Sequence, residues 1–413
     1  MTVDALTALE RQIVERLHAR QSAMESDLDA FVAIPTGTGH EIGLAKFRAL
    51  LSERFTRLGA NVRCHPGDPK PAWITLPGQI ADAAPPPCFQ AVSATSGPSR
   101  HLVTGHLDTV HDPFGSFQSL RRISLTRAEG PGAIDMKGGL VTMLHALEVL
   151  HECDAQVGWT VLLNSDEEAG SLHSARVVRE VSREHAAMGG LGFAMEPSLT
   201  DGSIVVERLG SATFLLECAG RAAHAGRDFA QGISAVNALA GRILEAANLV
   251  DLARGTVVNI GPLDGASATN IVAERARAWG NARFRDSVEE EKLLHGLRAL
   301  ETAPDAPLPH TRLHYESNRP AKPKTPTVQA LAARIQSIGA LVGEKFGLGK
   351  SGGVSDGNLM QAEGLTTIDT LGPRGGNLHR VDEFIELDSM APRAAILALT
   401  LLRSRDGVAG LDR

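Results

Sequence analysis

The sequence predicts an α/β fold, a mainly parallel mixed sheet with helices on both faces, into which a ferredoxin-like α+β domain is inserted. Three observations lead there. Short apolar runs such as Trp159–Leu163 and Leu191–Met195 alternate with segments of helical periodicity, the pattern of strands joined by crossover helices. Between residues 203 and 319 the order becomes strand, helix, strand, strand, helix, strand, which is the ferredoxin-like succession. The 413 residues also exceed the usual size of one hydrophobic core, so two domains are expected. The division is 1–202 plus 320–413 for the larger domain and 203–319 for the inserted one.

Taken in order, Asp4–Met24 and Glu41–Leu58 carry apolar residues at helical spacing, and Gly59-Ala60-Asn61 turns into a strand around Val62. Pro66–Pro98, rich in Pro, Gly and Ala, reads as short strands and loops. His101–Thr104 is a strand, followed by a polar loop through Glu129. The Gly130–Gly139 stretch opens a helix with Leu140, Met143, Leu144 and Leu147 on one face. Strand Trp159–Leu163, helix Ser174–His185 and strand Leu191–Met195 follow. In the inserted domain the helices are Ser234–Leu249 and Val288–Leu300, and the later strands are Thr256–Gly261, Ile271–Phe284 and Thr311–Glu316. Pro320–Pro326 is a return linker. Helix Val328–Phe346, strand Thr366–Asp369 and helix Asp388–Arg403 complete the larger domain.

Composition narrows the function classes. Hydrophobic residues make up 43% and charged residues 22%, as in ordinary globular proteins. A net charge of −7 with both signs intermixed argues against a nucleic-acid partner. No run approaches the roughly 18 apolar residues of a membrane span. Met1–Ser22 alternates apolar and charged residues without an apolar centre, unlike a signal peptide, so the cytoplasm is expected, or the periplasm if a leader has been removed. Cys64, Cys88, Cys153 and Cys218 are far apart with no Cys-x-x-Cys, and they read as reduced structural thiols. A metal here would be held by histidine and carboxylate.

His106 and Asp108 end a buried strand. Alternate residues of an extended chain share a face, so a metal-binding imidazole and the carboxylate that orients it can point together. Four further segments at predicted strand ends or loops add Asp135, the Glu167–Glu168 pair, Glu196 and His379. Two divalent ions about 3.5–4 Å apart need a shared carboxylate and further ligands on each side. Two histidines and three acids fit zinc, with nitrogen and oxygen donors. Neighbouring side chains such as Glu167 and Glu168 diverge, so one can bind metal while the other accepts a proton. Singly, each residue has a plainer role: Asp135 as a helix N-cap, Glu167–Glu168 as a solvated turn, Glu196 as a strand end, His379 as a surface residue. Gly130-Pro-Gly132 begins like a dinucleotide loop, yet Asp135 replaces the third glycine. Five such coincidences at one sheet edge favour the joint reading.

Gly105-His-Leu-Asp-Thr-Val110, Gly130-Pro-Gly-Ala-Ile-Asp-Met-Lys-Gly-Gly139, Asp166-Glu-Glu-Ala-Gly170, Glu196-Pro-Ser198, Gly220-Arg-Ala-Ala-His-Ala-Gly226 and Ser351-Gly-Gly-Val-Ser-Asp-Gly-Asn358 resemble the dinuclear zinc exopeptidase/deacylase family. Its members include glutamate carboxypeptidases, acetylornithine deacetylase, succinyl-diaminopimelate desuccinylase and aminoacylases. The resemblance runs from about residue 100 to His379, and its motifs look closest to the glutamate carboxypeptidase branch.

The resemblance implies two zinc ions per subunit, with cobalt or manganese as substitutes. Asp135 would bridge them, His106 and Glu196 would hold one, and Glu168 with His379 the other. Glu167 is the implied general base, Asp108 the carboxylate behind His106, and Asp135–Met136 a cis peptide bond. The inserted domain is the implied dimerisation or lid domain, giving a homodimer through 203–319. His224 corresponds to a histidine that steadies the oxyanion in the neighbouring subunit's site. Asn270, Arg283 and Arg319 correspond to substrate contacts, or serve as surface and hinge polar residues. Gly353 and Gly376 would allow close backbone approach to substrate, though many loop glycines only serve a turn. The expected reaction is metal-assisted hydrolysis of an amide bond next to a carboxylate, in a small peptide or an N-acyl amino acid. A catalytically silent binding protein on the same fold is the rival from another class.

Overall fold

A computed structural model describes residues 5–78, 84–95, 101–266 and 268–411. The chain divides into two compact units, one formed by Met1–Pro69, Ala84–Glu207 and Lys324–Arg413, the other by Lys70–Ala83 and Arg208–Pro323.

The first unit is built on a six-stranded sheet in the order Asn61–His65, Cys88–Val92, Trp159–Asn164, His101–His106, Gly192–Ala194, Thr367–Ile368. The last four strands run parallel, and Cys88–Val92 runs antiparallel to its two neighbours. Every residue of His101–His106 and of Trp159–Asn164 is buried, as expected of strands covered on both faces. His106 lies beside Asn164 in the register, so the chain leaves both strands at one edge of the sheet, His106 on one and the Asp166–Gly170 turn after the other.

Several elements differ from the sequence reading. In place of the single helix expected over Asp4–Met24, of which Asp4 lies outside the described residues, two helices form, Ala8–Ala19 and, running beyond that range, Gln21–Val32. Thr7 and Glu10 make a reciprocal cap at the start. The break falls at Arg20, whose N–H closes a tight turn on the Leu17 carbonyl while its guanidinium pairs with Glu148 and Glu152. Helix Gly138–Glu152 buries more than one face: every residue from Gly138 to Leu147 is buried, because helices Ala8–Ala19, Gln21–Val32 and Met390–Arg403 pack against it. Helix Pro326–Leu341 stops short of Phe346, where Gly343 takes a positive φ. The loop after Asp108 contains two short strands, Arg121–Arg122 and Arg127–Glu129, which join Phe384–Glu386 and Gly375–Gly376 in a second small sheet.

The second unit has an antiparallel four-stranded sheet in the order Val257–Gly265, Arg275–Phe284, Gly210–Ala219, His310–Arg319, with helices Ala235–Ala247 and Ser287–Arg298. That order is ferredoxin-like. Phe214, Leu216, Leu239, Phe284, Leu293 and Leu297 form its core. Lys70–Gly78, within the range that the sequence reading assigned to the larger domain, groups with this unit: the Trp279 indole donates to the Trp73 carbonyl at 2.7 Å. Among the described residues, no helix is long and apolar enough to cross a membrane, and all four cysteines are free thiols.

Candidate metal centre

Strand ends and the loops beside them deliver the acidic and imidazole groups. His106 is the last residue of its strand. Its Nδ1–H donates to the Asp108 carbonyl at 2.9 Å, which turns Nε2 toward Asp135 Oδ1 at 3.3 Å and Glu196 Oε2 at 3.9 Å. The residue behind His106 is therefore Asp108, but through its backbone oxygen; the carboxylate Oδ1 stands at 3.6 Å. That carboxylate accepts instead from the N–H groups of Glu167 at 3.1 Å and Glu168 at 3.2 Å and from the Thr38 hydroxyl at 2.8 Å.

Asp135 sits in the irregular turn Ala133–Lys137 that leads into helix Gly138–Glu152, and its peptide bond to Met136 is cis. Gly132, at φ 67°, supplies the left-handed residue that starts this turn. The helix begins against the strand that ends before Glu196. A Cβ on Gly139 would lie 2.0 Å from the Met195 carbonyl, so only glycine permits this approach. His379 occupies a turn in which Asn377 and His379 itself have φ of 56° and 65°, a conformation few side chains adopt. Asn377 and Arg380 both bond to Asp382 and hold this turn.

The result is a bridged arrangement. Asp135 Oδ1 faces His106, and Oδ2 faces His379 Nε2 at 3.4 Å; His379 Nε2 also lies 3.3 Å from Glu168 Oε2. One donor atom from each of His106, Asp135 and Glu168 falls within 4.8 Å of the others, as do those of His106, Glu167 and Glu196. Five of the sequence-predicted groups and Glu167 are thus brought together. These spacings fit a shared cation: two donors at zinc-ligand distance in tetrahedral geometry are about 3.4 Å apart. Glu168 Oε1 is also buried without a hydrogen-bond partner, an acceptor left for such an ion.

The electrostatics agree. Burial opposes charge on His106, but its hydrogen bond to Asp135 and the nearby Glu196 and Asp108 charges raise its pKa well above the usual value. Hydrogen bonds to Asp135 and Glu168 push His379 up to about 10. Asp135 is lowered despite its burial, by both imidazoles. The clustered carboxylates thus favour positive charge beside them, whether on the imidazoles or on a bound cation.

In the second unit, His224 pairs with Ile271 in a short two-stranded ladder, and the Asn270 carbonyl accepts from Ala225 N–H at 2.9 Å, so His224 and Asn270 are neighbours. Arg283 and Arg319 lie on the strands flanking Ser211. Arg283 bonds to Asn281 and Arg319 is fully buried. Gly353 is exposed next to Ser351, whereas a Cβ on Gly376 would press on the Phe384 ring at 3.0 Å, so packing alone accounts for glycine at 376.

Sequence reasoning missed Glu383. This buried carboxylate accepts from the N–H groups of Gly132, Ile134 and Asp135 and contacts His111. The only sequence signal was its position four residues after His379.

An α/β unit with acids and imidazoles converging at its sheet edge, in a chain that also carries a ferredoxin-like unit, is the architecture of a metal-binding hydrolase. The chain belongs to peptidase family M20/M25/M40, whose model matches residues 102–403. It is 24% identical over 390 residues to carboxypeptidase G2 of Pseudomonas sp. (strain RS-16), covering 92% of this chain and 89% of that protein. It is 25% identical over 418 positions to succinyl-diaminopimelate desuccinylase of Psychrobacter arcticus, covering 95% and 97%. In fold it resembles a di-peptidase from Saccharomyces cerevisiae (TM-score 0.71, 13% identity, 96% and 98% covered) and a tripeptidase from Staphylococcus aureus (TM-score 0.69, 22% identity, 95% and 99% covered). The protein is a hydrolytic enzyme of the metallopeptidase and deacylase class.

Proposed function

We propose that this chain is a two-zinc hydrolase of glutamate-carboxypeptidase type, cleaving an amide bond next to a carboxylate. The observation that carries the reading is Asp135, whose two oxygens each face an imidazole, 3.3 Å from His106 and 3.4 Å from His379. His106 and Glu196 would hold one ion, Glu168 and His379 the other, with Asp135 shared. When bound, the ions supply Lewis acidity that polarises a carbonyl and makes water more acidic near neutral pH. Cobalt or manganese would substitute for zinc.

The side chains divide the remaining work. Glu167 takes a proton from the attacking water on a carboxylate oxygen and delivers it to the amine nitrogen as the C–N bond breaks. Asp108 fixes the backbone from which Glu167 projects. The Gly226 N–H donates to His224 Nδ1 at 3.1 Å, so the neutral ring carries its proton on Nε2 and presents a donor. In a homodimer formed through residues 203–319, that donor would serve the partner's oxyanion. Arg283, which is only partly buried, would take the substrate carboxylate with a planar two-pronged donor set, Asn270 would add a polar contact, and the Gly353 and Gly376 backbones would border the substrate.

The desuccinylase relatives support a second reading, an N-acyl-amino-acid deacylase that uses the same ligands and base. Hydrolysis of a panel of dipeptides and N-acyl amino acids by zinc-loaded and chelator-stripped protein separates the two. Metal-dependent release of a C-terminal residue, glutamate above all, supports the first; turnover restricted to small acyl groups supports the second. Equal turnover with and without metal would sink both.

A further inference from the structure

Glu383 gathers three segments of the metal site that are far apart in sequence. Its side chain is 1% exposed. Oε1 accepts from Ile134 N–H at 2.9 Å and Asp135 N–H at 3.0 Å. Oε2 accepts from Gly132 N–H at 3.2 Å and from His111 Nε2–H at 2.5 Å. Three backbone donors therefore point at one carboxylate from the turn that carries Asp135, just before helix Gly138–Glu152. Those N–H groups lie in the turn ahead of the helix, and the carboxylate satisfies three donors that would be costly to leave unpaired in a buried site. His111 closes the loop that begins at His106 and Asp108, and its ring packs edge-on against Phe117 with centroids 5.2 Å apart. Glu383 itself ends the turn that holds His379, and the strand it opens is paired with Arg127–Glu129. Its carbonyl also accepts Gly130 N–H at 3.1 Å.

We infer that Glu383 is a positioning residue for the metal site, whose single carboxylate sets the mutual placement of the Asp135 turn, the His106 loop and the His379 turn. The inference rests on the two-metal reading above. Glutamine at 383 would keep the shape but turn one acceptor into an N–H donor. Whichever way the amide faces, it opposes at least one backbone N–H or the His111 donor. The ligands themselves would remain, but the pocket would no longer be held to one geometry. Residues that orient ligands from behind typically contribute about 10–100-fold in metal affinity.

The test is zinc titration of the full-length protein against a chromophoric chelator, with denaturant unfolding of the zinc-free form in parallel. Glu383→Gln is expected to bind zinc about 10–100-fold more weakly than wild type. His111→Gln, which removes one donor and leaves the three backbone bonds, should lose less. Glu10→Gln breaks the pair with Arg403, in contact with no proposed ligand, and should lower stability while leaving zinc affinity unchanged. A folded Glu383→Gln protein with wild-type affinity overturns the inference, as does an equal affinity loss in Glu10→Gln. Should Glu383→Gln fail to fold, His111→Gln decides, and unchanged affinity there overturns it. A wild-type protein that binds no zinc would instead defeat the two-metal reading itself.

Discussion

The Asp108 carboxylate accepts the backbone N–H of Glu167 at 3.1 Å and that of Glu168 at 3.2 Å, each oxygen taking one. The residue that supports His106 through its carbonyl therefore also fixes the turn from which the proposed base and a proposed ligand project. Asp108→Asn would set an amide NH2 against one of those N–H groups and shift the turn. We expect kcat/KM to fall about 10–100-fold, with a smaller change in denaturant midpoint. Steady-state kinetics on the fully zinc-loaded variant checks this, and wild-type kcat/KM would disprove the coupling.

Glu167→Gln should leave metal content intact and lower kcat by about 10²–10⁴-fold, the usual contribution of a positioned base. Metal analysis beside turnover on the best substrate gives the answer. A variant that keeps both its metal and its turnover would remove Glu167 from the role.

Much of this centre was legible because each donor sits within a short local pattern. His106-x-Asp108 ends an apolar strand, Glu167–Glu168 follows another, and Asp135 precedes a helix. What joins them was not legible. Asp108 reaches the Glu167–Glu168 turn 59 and 60 residues away, and His111 reaches Glu383 across 272. Contacts at that separation leave no periodicity in a single sequence. The second small sheet escaped for a different reason: strands of two or three residues, such as Arg121–Arg122 and Gly375–Gly376, are too short to show alternation. The contact of Trp73 with Trp279 was not legible either, because one tryptophan in a proline-rich loop carries no sign of its partner strand.

Metal removal should lower thermal stability. An ion that binds the folded chain and not the unfolded one stabilises it by about 2.7 kcal/mol at a free concentration of 100 Kd. Scanning calorimetry of chelated protein should give a lower Tm that returns with added zinc in a concentration-dependent manner. A Tm indifferent to zinc would argue against an ordered site.

His101 begins the strand that ends at His106 and is completely buried, with Nδ1 accepting Leu191 N–H at 3.2 Å. Burial depresses its pKa from 6.5 to about 4. The unfolded chain takes up the proton first, so the contribution of neutral His101 is present above pH 6.5 and is lost as pH falls from 6.5 toward 4. It amounts to about 3 kcal/mol over that window. The denaturant midpoint of wild type should decline there more steeply than that of His101→Gln, and parallel curves would exclude His101 as the cause.

The proposed oxyanion assistance by His224 across a dimer can be tested by subunit exchange. If the proposed homodimer forms, His224→Ala and Glu167→Ala proteins should each be nearly inactive. Mixed under conditions that allow subunits to exchange, they should regain activity in the heterodimer, which would pair one intact Glu167 site with one intact His224. No recovery in a mixture shown to contain heterodimer would leave His224 without that role.

The approach of Gly139 to the Met195 carbonyl makes position 139 a gauge block, its dimension set by a missing methyl group. Gly139 follows Asp135 by four residues and Met195 immediately precedes Glu196, so the contact clamps the roots of two proposed ligands at a fixed separation. A change of one carbon there would wedge the helix away from the strand and widen that gap with every ligand still in the sequence. Intact motifs alone would therefore not guarantee a working centre in a redesigned variant; the close fit of backbone to backbone beneath them has to be preserved as well.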